Sequence, residues 1–313
     1  MKKFRISEKR IKDLGFIYLV YLWPVIHFSV FWVAMNISTI KNAFFSETLL
    51  GNLKFVGWKN FSDVFKMFSG ERVEGVVSVR ALPNVGYLML LSLFVNLPIT
   101  LFFSYMIMRK IRGFRFFQVA LFIPTMTSAV VLCLVYKLAL NTQYGFVPQI
   151  MKSLGLGDKI PTMGLLGDEK TTWGMILVFS VWTGISGNLI YFCSAMSRIP
   201  EEIVESSKLD GADDWTLFFK FVLPLIWPTV TTMMVSYLSA NFAWYIPSLM
   251  LGGSDGNPNG TTSTIGLIIV QMTKNANNNG FTSALSVVIG IIGGAFILLF
   301  KYIMEKITPE VEY

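Results

Sequence analysis

Six long stretches of the chain contain no Asp, Glu, Lys or Arg, and each is long enough to cross a lipid bilayer. A helix needs about 20 apolar residues to do so. The uncharged stretches are Leu14–Ile40, Ala81–Met108, Phe116–Tyr136, Thr171–Ser197, Phe221–Ser254 and Asn275–Phe300. This pattern predicts an all-α membrane protein whose six spans lie in one transmembrane domain, residues 14–304. The predicted spans are 14–37, 84–108, 116–138, 172–196, 223–248 and 281–303.

The composition also points to a membrane protein and excludes several kinds of site. Apolar residues make up 53% of the 313 residues and charged residues only 14%, whereas an average soluble domain is about a quarter charged. A soluble chain with so few charges would expose a large apolar surface to water. One His and two Cys are too few for a His-rich metal site, a paired-Cys zinc site or a disulfide scaffold.

Basic residues cluster in alternate connections between the stretches, which indicates how the chain is oriented. The N-terminus to Asp13, Arg109–Arg115, Arg198–Lys220 and Lys301–Tyr313 hold 15 of the 26 Lys and Arg residues in 56 positions. The other connections hold 11 in 94 positions. Because cytoplasmic loops carry an excess of Lys and Arg, we expect a cytoplasmic N-terminus (residues 1–13) and a cytoplasmic tail (305–313). The net charge of +7 then reflects membrane topology and does not indicate nucleic-acid binding.

The predicted spans contain almost no ionisable side chain, and this narrows the possible functions. Apart from Cys and Tyr, the only ionisable group in the six uncharged stretches is His27. A secondary transporter usually needs a charged or titratable group at mid-membrane, and an intramembrane enzyme needs acids or His. The chain also lacks a glycine-rich phosphate loop that ends in Lys-Ser or Lys-Thr. We therefore expect no catalytic, metal or cofactor-binding residue, and a transporter of this kind must take its energy from another subunit.

The connection over residues 198–222 differs from a plain loop, because its stretch Arg198–Lys220 holds six acidic residues against three basic ones. Pro200 suits a first helical turn, and the two Glu residues after it suit the positive end of a helix. The helix is expected to stop at Asp210-Gly211, where glycine can adopt the left-handed capping conformation. A second helix is expected to begin around Asp213. The pattern predicts a helix–turn–helix with small apex residues that let another protein approach; an amphipathic connector is the alternative.

The connection and the start of the next predicted span contain Glu205-Ser206-Ser207, Asp210-Gly211-Ala212 and Leu223-Pro224. This stretch resembles the EAA loop of ATP-binding-cassette importer permeases, whose pattern is Glu-Ala-Ala, then Gly, then Leu-Pro at fixed spacing. Two serines thus replace the two alanines. In the family the loop docks in a cleft of the ATPase subunit. The resemblance therefore implies an ATPase-coupling role for Glu205, Ser206, Ser207, Asp210, Gly211 and Ala212.

Other parts of the chain extend the resemblance to carbohydrate importers. The similar stretches are Phe55–Phe61, Arg109–Gly113, Phe122–Pro124 and Gly280–Ser286. Together they look like the six-helix, type I core of the larger permease subunit of the maltose importer and its oligosaccharide relatives. This implies a non-catalytic, multi-pass subunit of the bacterial plasma (inner) membrane. The implied partners are a second, similar permease, two ATPase subunits that bind ATP and Mg, an extracellular solute-binding protein, a carbohydrate substrate and membrane lipid.

Two predicted spans carry groups that suit a neutral sugar, which proteins hold with aromatic faces and with amide or hydroxyl groups. The candidates are Ser180, Thr183, Gly184, Gly187 and Asn188 in the fourth span and Tyr237, Asn241 and Trp244 on one predicted helical face in the fifth. Aligned through the coupling loop, most of them fall at sugar-contacting positions of the maltose-importer subunit, and Gly184 and Asn241 match in identity. Helix packing is the alternative for the small residues, and the interfacial belt for Tyr and Trp.

These observations predict the permease subunit of an ATP-driven importer for a sugar or oligosaccharide that works by alternating access. A permease for another small solute such as glycerol phosphate stays open, and a stand-alone secondary transporter is a further alternative. The loop over residues 251–274 is rich in Gly, Asn, Ser and Thr. It is either an outer loop that touches the binding protein, as the resemblance implies, or a flexible solvated connection.

Overall fold

The computed structural model describes residues 8–47, 52–71, 80–253, 256, 259–273 and 279–307. The predicted cytoplasmic ends therefore lie partly outside the described residues, at 1–7 and 308–313. The chain divides into two compact units, one within residues 1–64 and 275–287 and the other within 65–274 and 288–313.

Helices make up most of the described chain, as the apolar stretches predict. The α-helices are α1 (Glu8–His27), α2 (Ala34–Asn42), α3 (Lys59–Phe68), α4 (Ala81–Leu91), α5 (Leu97–Met108), α6 (Phe114–Met126), α7 (Ala129–Ala139), α8 (Phe146–Ser153), α9 (Thr172–Met196), α10 (Glu201–Leu209), α11 (Asp214–Thr216), α12 (Leu223–Leu225), α13 (Trp227–Phe242), α14 (Ile246–Gly252), α15 (Ile265–Thr273) and α16 (Asn279–Ile307). Turns of π-helix occupy Phe28–Val33, Ser92–Asn96 and Leu217–Val222, and a 3₁₀ turn occupies Gly157–Lys159. A small antiparallel hairpin, β1 (Phe45–Glu47) with β2 (Leu53–Phe55), adds strands to the predicted all-α fold.

Four helical stretches are long and apolar enough to cross a membrane without interruption. They are Gly15–Asn42, Ala81–Met108, Thr172–Met196 and Asn279–Ile307, and we name them apolar segments 1, 2, 4 and 6 after the predicted spans to which they correspond. Segments 1 and 2 each contain a π-helical turn. A proline lies close to each turn, at Pro24 and Pro98, and proline withholds one N–H from the helical hydrogen bonds.

The third and fifth predicted spans are not continuous helices, which corrects the sequence prediction. Segment 3 bends by 109° between Phe114–Met126 and Ala129–Ala139, and segment 5 bends by 73° between Asp214–Leu225 and Trp227–Phe242. Thr127 in the first break is extended, with φ −104° and ψ 141°. Prolines lie close to both breaks, and their missing N–H groups weaken the helix there. An uncharged run indicates length and burial in lipid, but it does not reveal a change of direction.

Segment 5 also ends earlier than predicted. Its helix stops at Phe242, and residues up to 252 form the separate helix α14, which begins at Ile246 with Pro247 in its first turn. The following segment is folded: Thr261–Thr264 are buried and lead into α15. The Asn84 side-chain amide donates hydrogen bonds to the carbonyls of Thr261 and Ser263, at 2.8 and 2.7 Å. The interpretation as a flexible solvated connection is therefore wrong for residues 259–273; residues 254, 255, 257, 258 and 274 lie outside the described part.

In the smaller unit, the motif residues of the predicted outer loop have structural roles. The Asn60 side-chain amide donates to the carbonyls of Ala43 and Phe45, both at 2.9 Å. A Cβ at Gly280 would overlap the Phe45 carbonyl oxygen. Glycine at this position therefore lets the start of α16 pack directly against the hairpin backbone.

Two apolar cores hold the larger unit together. The first joins segment 2 to the ends of segments 4 and 5 through Leu97, Leu101, Tyr105, Phe192, Met196, Leu217, Phe218, Val222, Ile226, Val230, Met233 and Tyr237. The second joins segments 3 and 4 to α14 through Leu132, Cys133, Ile176, Phe179 and Leu251. Because lipid tails are as apolar as these side chains, close packing rather than removal from water stabilises such contacts between membrane helices.

Candidate functional site

The predicted coupling connection forms the helix–turn–helix expected from its sequence. Helix α10 begins after Pro200 and carries two Glu residues in its first turn. It ends at Asp210, and Gly211 has a φ of +82°. The Ala212 N–H then bonds to the Ser207 carbonyl at 3.0 Å, so the left-handed glycine closes the helix end as predicted.

The predicted coupling residues lie on different faces of this unit. Glu205, Ser206, Asp210 and Gly211 are exposed, and Ala212 is half-buried. Ser207 is buried instead, and its hydroxyl donates to the Val204 carbonyl of its own helix at 2.9 Å. The exposed four are therefore accessible to a partner protein, whereas Ser207 is covered by the helix–turn–helix itself.

Sequence reasoning missed Leu209, which is 89% exposed at the end of α10. It is a large apolar side chain beside the exposed predicted coupling residues. Its position next to Asp210-Gly211 was visible in the sequence, but only the fold shows that it points away from the core. Its exposure places an apolar side chain on the same surface as the exposed coupling residues.

The helix after the turn begins at a defined cap. The Asp213 carboxylate accepts a hydrogen bond from the Thr216 N–H at 3.0 Å. The Thr216 side chain and backbone both stabilise the charged carboxylate and lower the pKa of Asp213. The expected start of the second helix around Asp213 is thus confirmed.

A second group of polar residues lies between segments 2, 4 and 5. Tyr237 and Asn241 of α13 are buried. The Tyr237 hydroxyl donates to the Gly184 carbonyl at 3.4 Å, and the Asn241 side-chain amide donates to the Ser92 hydroxyl at 3.1 Å. The Asn188 side chain is within reach of the Tyr237 hydroxyl. The structure therefore brings together four of the predicted pathway residues, Gly184, Asn188, Tyr237 and Asn241.

Asn96 completes this group. It is 3% exposed, and its Oδ1 atom has no hydrogen-bond partner among the described residues. A Cβ at Gly184 would overlap the Asn96 side-chain amide, so glycine makes room for it. We call Ser92, Asn96, Gly184, Asn188, Tyr237 and Asn241 the polar cluster. A buried amide oxygen without a partner is costly in an apolar interior, so Asn96 is a member of the cluster whose hydrogen bonding is incomplete.

The residues of segment 2 were not among the predicted pathway residues, although their sequence carries a signal. Ser92, Asn96, Thr100 and Ser104 follow at intervals of four, and all are buried. The Thr100 and Ser104 hydroxyls donate to backbone carbonyls one turn earlier, at 2.6 and 2.8 Å. A polar stripe at helical spacing in an otherwise apolar run indicates a face turned toward other protein rather than lipid.

The remaining predicted pathway residues are not part of the cluster. The Ser180 and Thr183 hydroxyls donate to carbonyls of their own helix, both at 2.9 Å. Gly187 is exposed, and a Cβ at this position would meet open space. Trp244 lies beyond the end of α13 and packs against the second apolar core. The prediction that Trp244 shares one helical face with Tyr237 and Asn241 is therefore wrong, because the helix stops at Phe242.

The polar cluster has the chemistry of a site for uncharged hydroxyl groups. Its side chains are amides, hydroxyls and one phenol, and none of its members is Lys, Arg, Asp or Glu. Within the described ranges, no group of three or more His, Cys, Asp and Glu residues is arranged to hold a metal ion. Such a cluster can exchange hydrogen bonds with a solute.

Known proteins resemble the chain over most of its length. It is 26% identical to the multiple sugar-binding transport system permease protein MsmF of Streptococcus mutans, over 81% of this chain and 84% of that one. It is 24% identical to the sn-glycerol-3-phosphate transport system permease protein UgpA of Yersinia enterocolitica, over 69% of this chain and 72% of that one. Its fold matches a chain of a bacterial alginate ABC transporter in complex with an alginate pentasaccharide-bound periplasmic protein, with a TM-score of 0.80, 19% identity and coverage of 97% and 99%.

One family accounts for most of the sequence. The family described as "Binding-protein-dependent transport system inner membrane component" matches residues 79–313. This range contains segments 2 to 6, the coupling connection and the whole polar cluster. The chain belongs to the family of inner membrane components of binding-protein-dependent transport systems.

Proposed function

We propose that the chain is the permease subunit of an ATP-driven importer for a neutral sugar or oligosaccharide. The observation that carries the proposal is the polar cluster, an uncharged group with a free amide oxygen at Asn96 inside the membrane-spanning helices. Amide and hydroxyl groups exchange hydrogen bonds with sugar hydroxyls without requiring a charge. The relative from Streptococcus mutans is named for multiple sugars, which agrees with this solute class.

The proposed topology has six spans and two cytoplasmic termini. Four apolar segments are continuous, and the two bent pairs complete six if each pair is one span. The distribution of Lys and Arg supports cytoplasmic ends. The coupling connection between segments 4 and 5 then faces the cytoplasm.

In this proposal the chain itself hydrolyses nothing. An ATPase subunit docks on the exposed side of α10, at Glu205, Ser206, Leu209 and Asp210. The proposed assembly contains a second permease, two ATPase subunits that bind ATP and Mg, and an extracellular solute-binding protein. ATP-driven movement of the coupling connection reorients the segments around the polar cluster, which gives alternating access.

A phosphorylated solute is the second candidate, because one relative is named for sn-glycerol-3-phosphate. A phosphate group favours Arg or Lys as its binding partner. The polar cluster contains neither, so this chain favours an uncharged solute. A partner permease that supplies a cation would reverse this preference.

Purification of the tagged chain with its native partners tests the proposal. We expect recovery of a second permease and an ATPase, and ATP hydrolysis that a neutral sugar stimulates when the binding protein is present. Uptake into proteoliposomes should require ATP on the side of the membrane that carries the ATPase subunits. A non-hydrolysable nucleotide is the control and should not support uptake. Stimulation by glycerol phosphate alone would favour the second candidate. Uptake by the chain alone, driven by an ion gradient, would contradict both and favour a secondary transporter.

A further inference from the structure

The end of segment 2 is tied to the helix that leaves the coupling connection. The Arg109 Nη2 atom lies 2.7 Å from the Asp214 Oδ1 atom. The Tyr105 hydroxyl donates a hydrogen bond to the Asp214 backbone carbonyl at 3.0 Å. One residue of the coupling connection is therefore held through both its side chain and its backbone.

This ion pair is shorter than two others in the described part of the chain. The Arg109 side chain is 23% exposed and the Asp214 side chain 67% exposed, whereas Arg80–Glu169 and Lys301–Glu305 are both 3.5 Å apart and each of their side chains is at least 45% exposed. Short, partly buried charged hydrogen bonds are stronger than exposed pairs. The Tyr105 ring also packs on Phe218, with 4.9 Å between ring centroids. The contact therefore fixes the exit of the coupling connection against segment 2.

Segment 2 offers a direct mechanical route from this contact to the polar cluster. It runs as one helical stretch from Ala81 to Met108, next to Arg109. Asn96 lies 13 residues before Arg109, a distance of about 20 Å along a helix. The route through segment 5 is less direct, because that segment bends by 73° around Ile226. Segment 2 thus links the Arg109–Asp214 contact to Ser92 and Asn96 through a continuous helical stretch.

There is room at the contact for a rearrangement. A cavity of about 280 Å³ lies beside it, lined by Phe102, Tyr105, Arg109, Asp214, Trp215 and Phe218 among others. Arg109 and Asp214 both border this space, so their side chains have room to change position. Coupling between distant sites requires an element that can adopt two arrangements.

We propose that Arg109, Tyr105 and Asp214 form a joint that transmits movement of the coupling connection through segment 2 to the polar cluster. The inference rests on the proposed function, since it assumes that an ATPase moves this connection. The three residues are positioning residues: they lie outside the polar cluster and act through segment 2. Loss of the joint uncouples ATP hydrolysis from uptake without removing the solute site.

The test compares solute transported per ATP hydrolysed by the complete complex in proteoliposomes. Asp214→Asn keeps the backbone carbonyl that accepts from Tyr105 but removes the charge, and Arg109→Gln removes the other partner. We expect either change to lower the ratio by about threefold to tenfold, with ATPase binding and solute KM little changed. The double variant should lower the ratio no further than either single variant, because the two residues act through one contact. Exchange of the charges, R109D with D214R, should restore part of the ratio.

A matched control is the exposed pair in α16. Lys301→Gln and Glu305→Gln remove an ion pair of the same type that does not involve the coupling connection, and we expect the ratio to stay unchanged. An unchanged ratio in both Asp214→Asn and Arg109→Gln, or additive losses in the double variant, would overturn the joint. If those variants fail to assemble, Tyr105→Phe tests the joint instead, since it removes only the 3.0 Å hydrogen bond. A lower ratio of solute transported to ATP hydrolysed supports the joint, and an unchanged ratio overturns it. Absence of ATP-dependent uptake in the unaltered complex would instead refute the proposed function.

Discussion

At the scale of single residues, the chain depends on close contacts between polar groups and glycine inside an apolar interior. The Asn96 amide fits only because Gly184 has no side chain. The same glycine offers its carbonyl to Tyr237. The Asn241 side-chain amide donates to the Ser92 hydroxyl, and the Asn96 carbonyl oxygen has no partner among the described residues.

Replacement of Gly184 by Ala tests this packing. The added methyl group overlaps the Asn96 amide, and overpacking of this kind costs about 1–3 kcal/mol. We expect a lower melting temperature in detergent. Gly187→Ala is the matched control on the same helix, because its added methyl meets open space and alanine favours a helix. Equal melting temperatures for the two variants would contradict the packing described here.

Replacement of Asn96 by Leu tests the free acceptor. Leu is similar in size and removes a buried polar atom without a partner, so thermal stability should stay equal or rise. Loss of one neutral hydrogen bond to the solute should raise the KM for uptake about twofold to tenfold.

Ser104→Ala is the comparison for Asn96→Leu, since the Ser104 hydroxyl bonds within its own helix. We expect its KM to match that of the unaltered protein. An unchanged KM in Asn96→Leu, measured as initial uptake rate against solute concentration, would remove Asn96 from the proposed solute site.

At the scale of elements, the coupling connection combines a helix stop with an exposed contact surface. Helix α10 ends at a left-handed glycine, which turns the chain into the Asp213 cap of the next helix. Ser207 anchors the inner side of α10, while Glu205, Ser206 and Leu209 stay exposed. The turn at Gly211 thus sets the direction in which the chain leaves α10.

Gly211→Ala should weaken coupling through the backbone alone. The position has open space for a methyl group, but its φ of +82° is unfavourable for any residue with a Cβ, at a cost of about 1–2 kcal/mol. We expect less uptake per ATP hydrolysed. Gly155→Ala has the same open space at a φ of +73° outside the coupling connection, and it should lose comparable stability while keeping normal coupling. Equal coupling in both variants would argue against a role for this turn.

At the scale of the whole molecule, family membership confirms the resemblance to importer permeases and the multi-pass localisation in the bacterial inner membrane. The two bent segments determine how many times the chain crosses that membrane. If segment 3 is one span, the connections before and after it face opposite sides. If it enters and returns, both face the same side.

Cysteine labelling distinguishes these topologies. In a background without Cys133 and Cys193, single cysteines at the exposed positions Lys110 and Asp158 report the two ends of segment 3. With a membrane-impermeant thiol reagent on intact cells, we expect Asp158→Cys to label and Lys110→Cys to label only after permeabilisation. Labelling of both positions, or neither, before permeabilisation would refute six spans.

Much of this protein was predictable from its sequence, because the relevant physics is local. A long uncharged run favours lipid wherever it occurs, so all six apolar segments were located from composition alone. The stop at Gly211 and the start at Asp213 depend on backbone conformation and a nearby side chain, which a short stretch of sequence encodes. The coupling motif was recognisable for the same reason.

Tertiary structure decided the features that join residues distant in the chain. The bends in segments 3 and 5, the fit of Asn96 against Gly184, and the Arg109–Asp214 contact each depend on neighbours that no local pattern specifies. Trp244 illustrates the limit: helical spacing placed it beside Asn241, but the helix ends first and packing carries it into another core. Hydrophobicity thus determined which segments enter the membrane, while packing and hydrogen-bond satisfaction determined which of their polar groups meet.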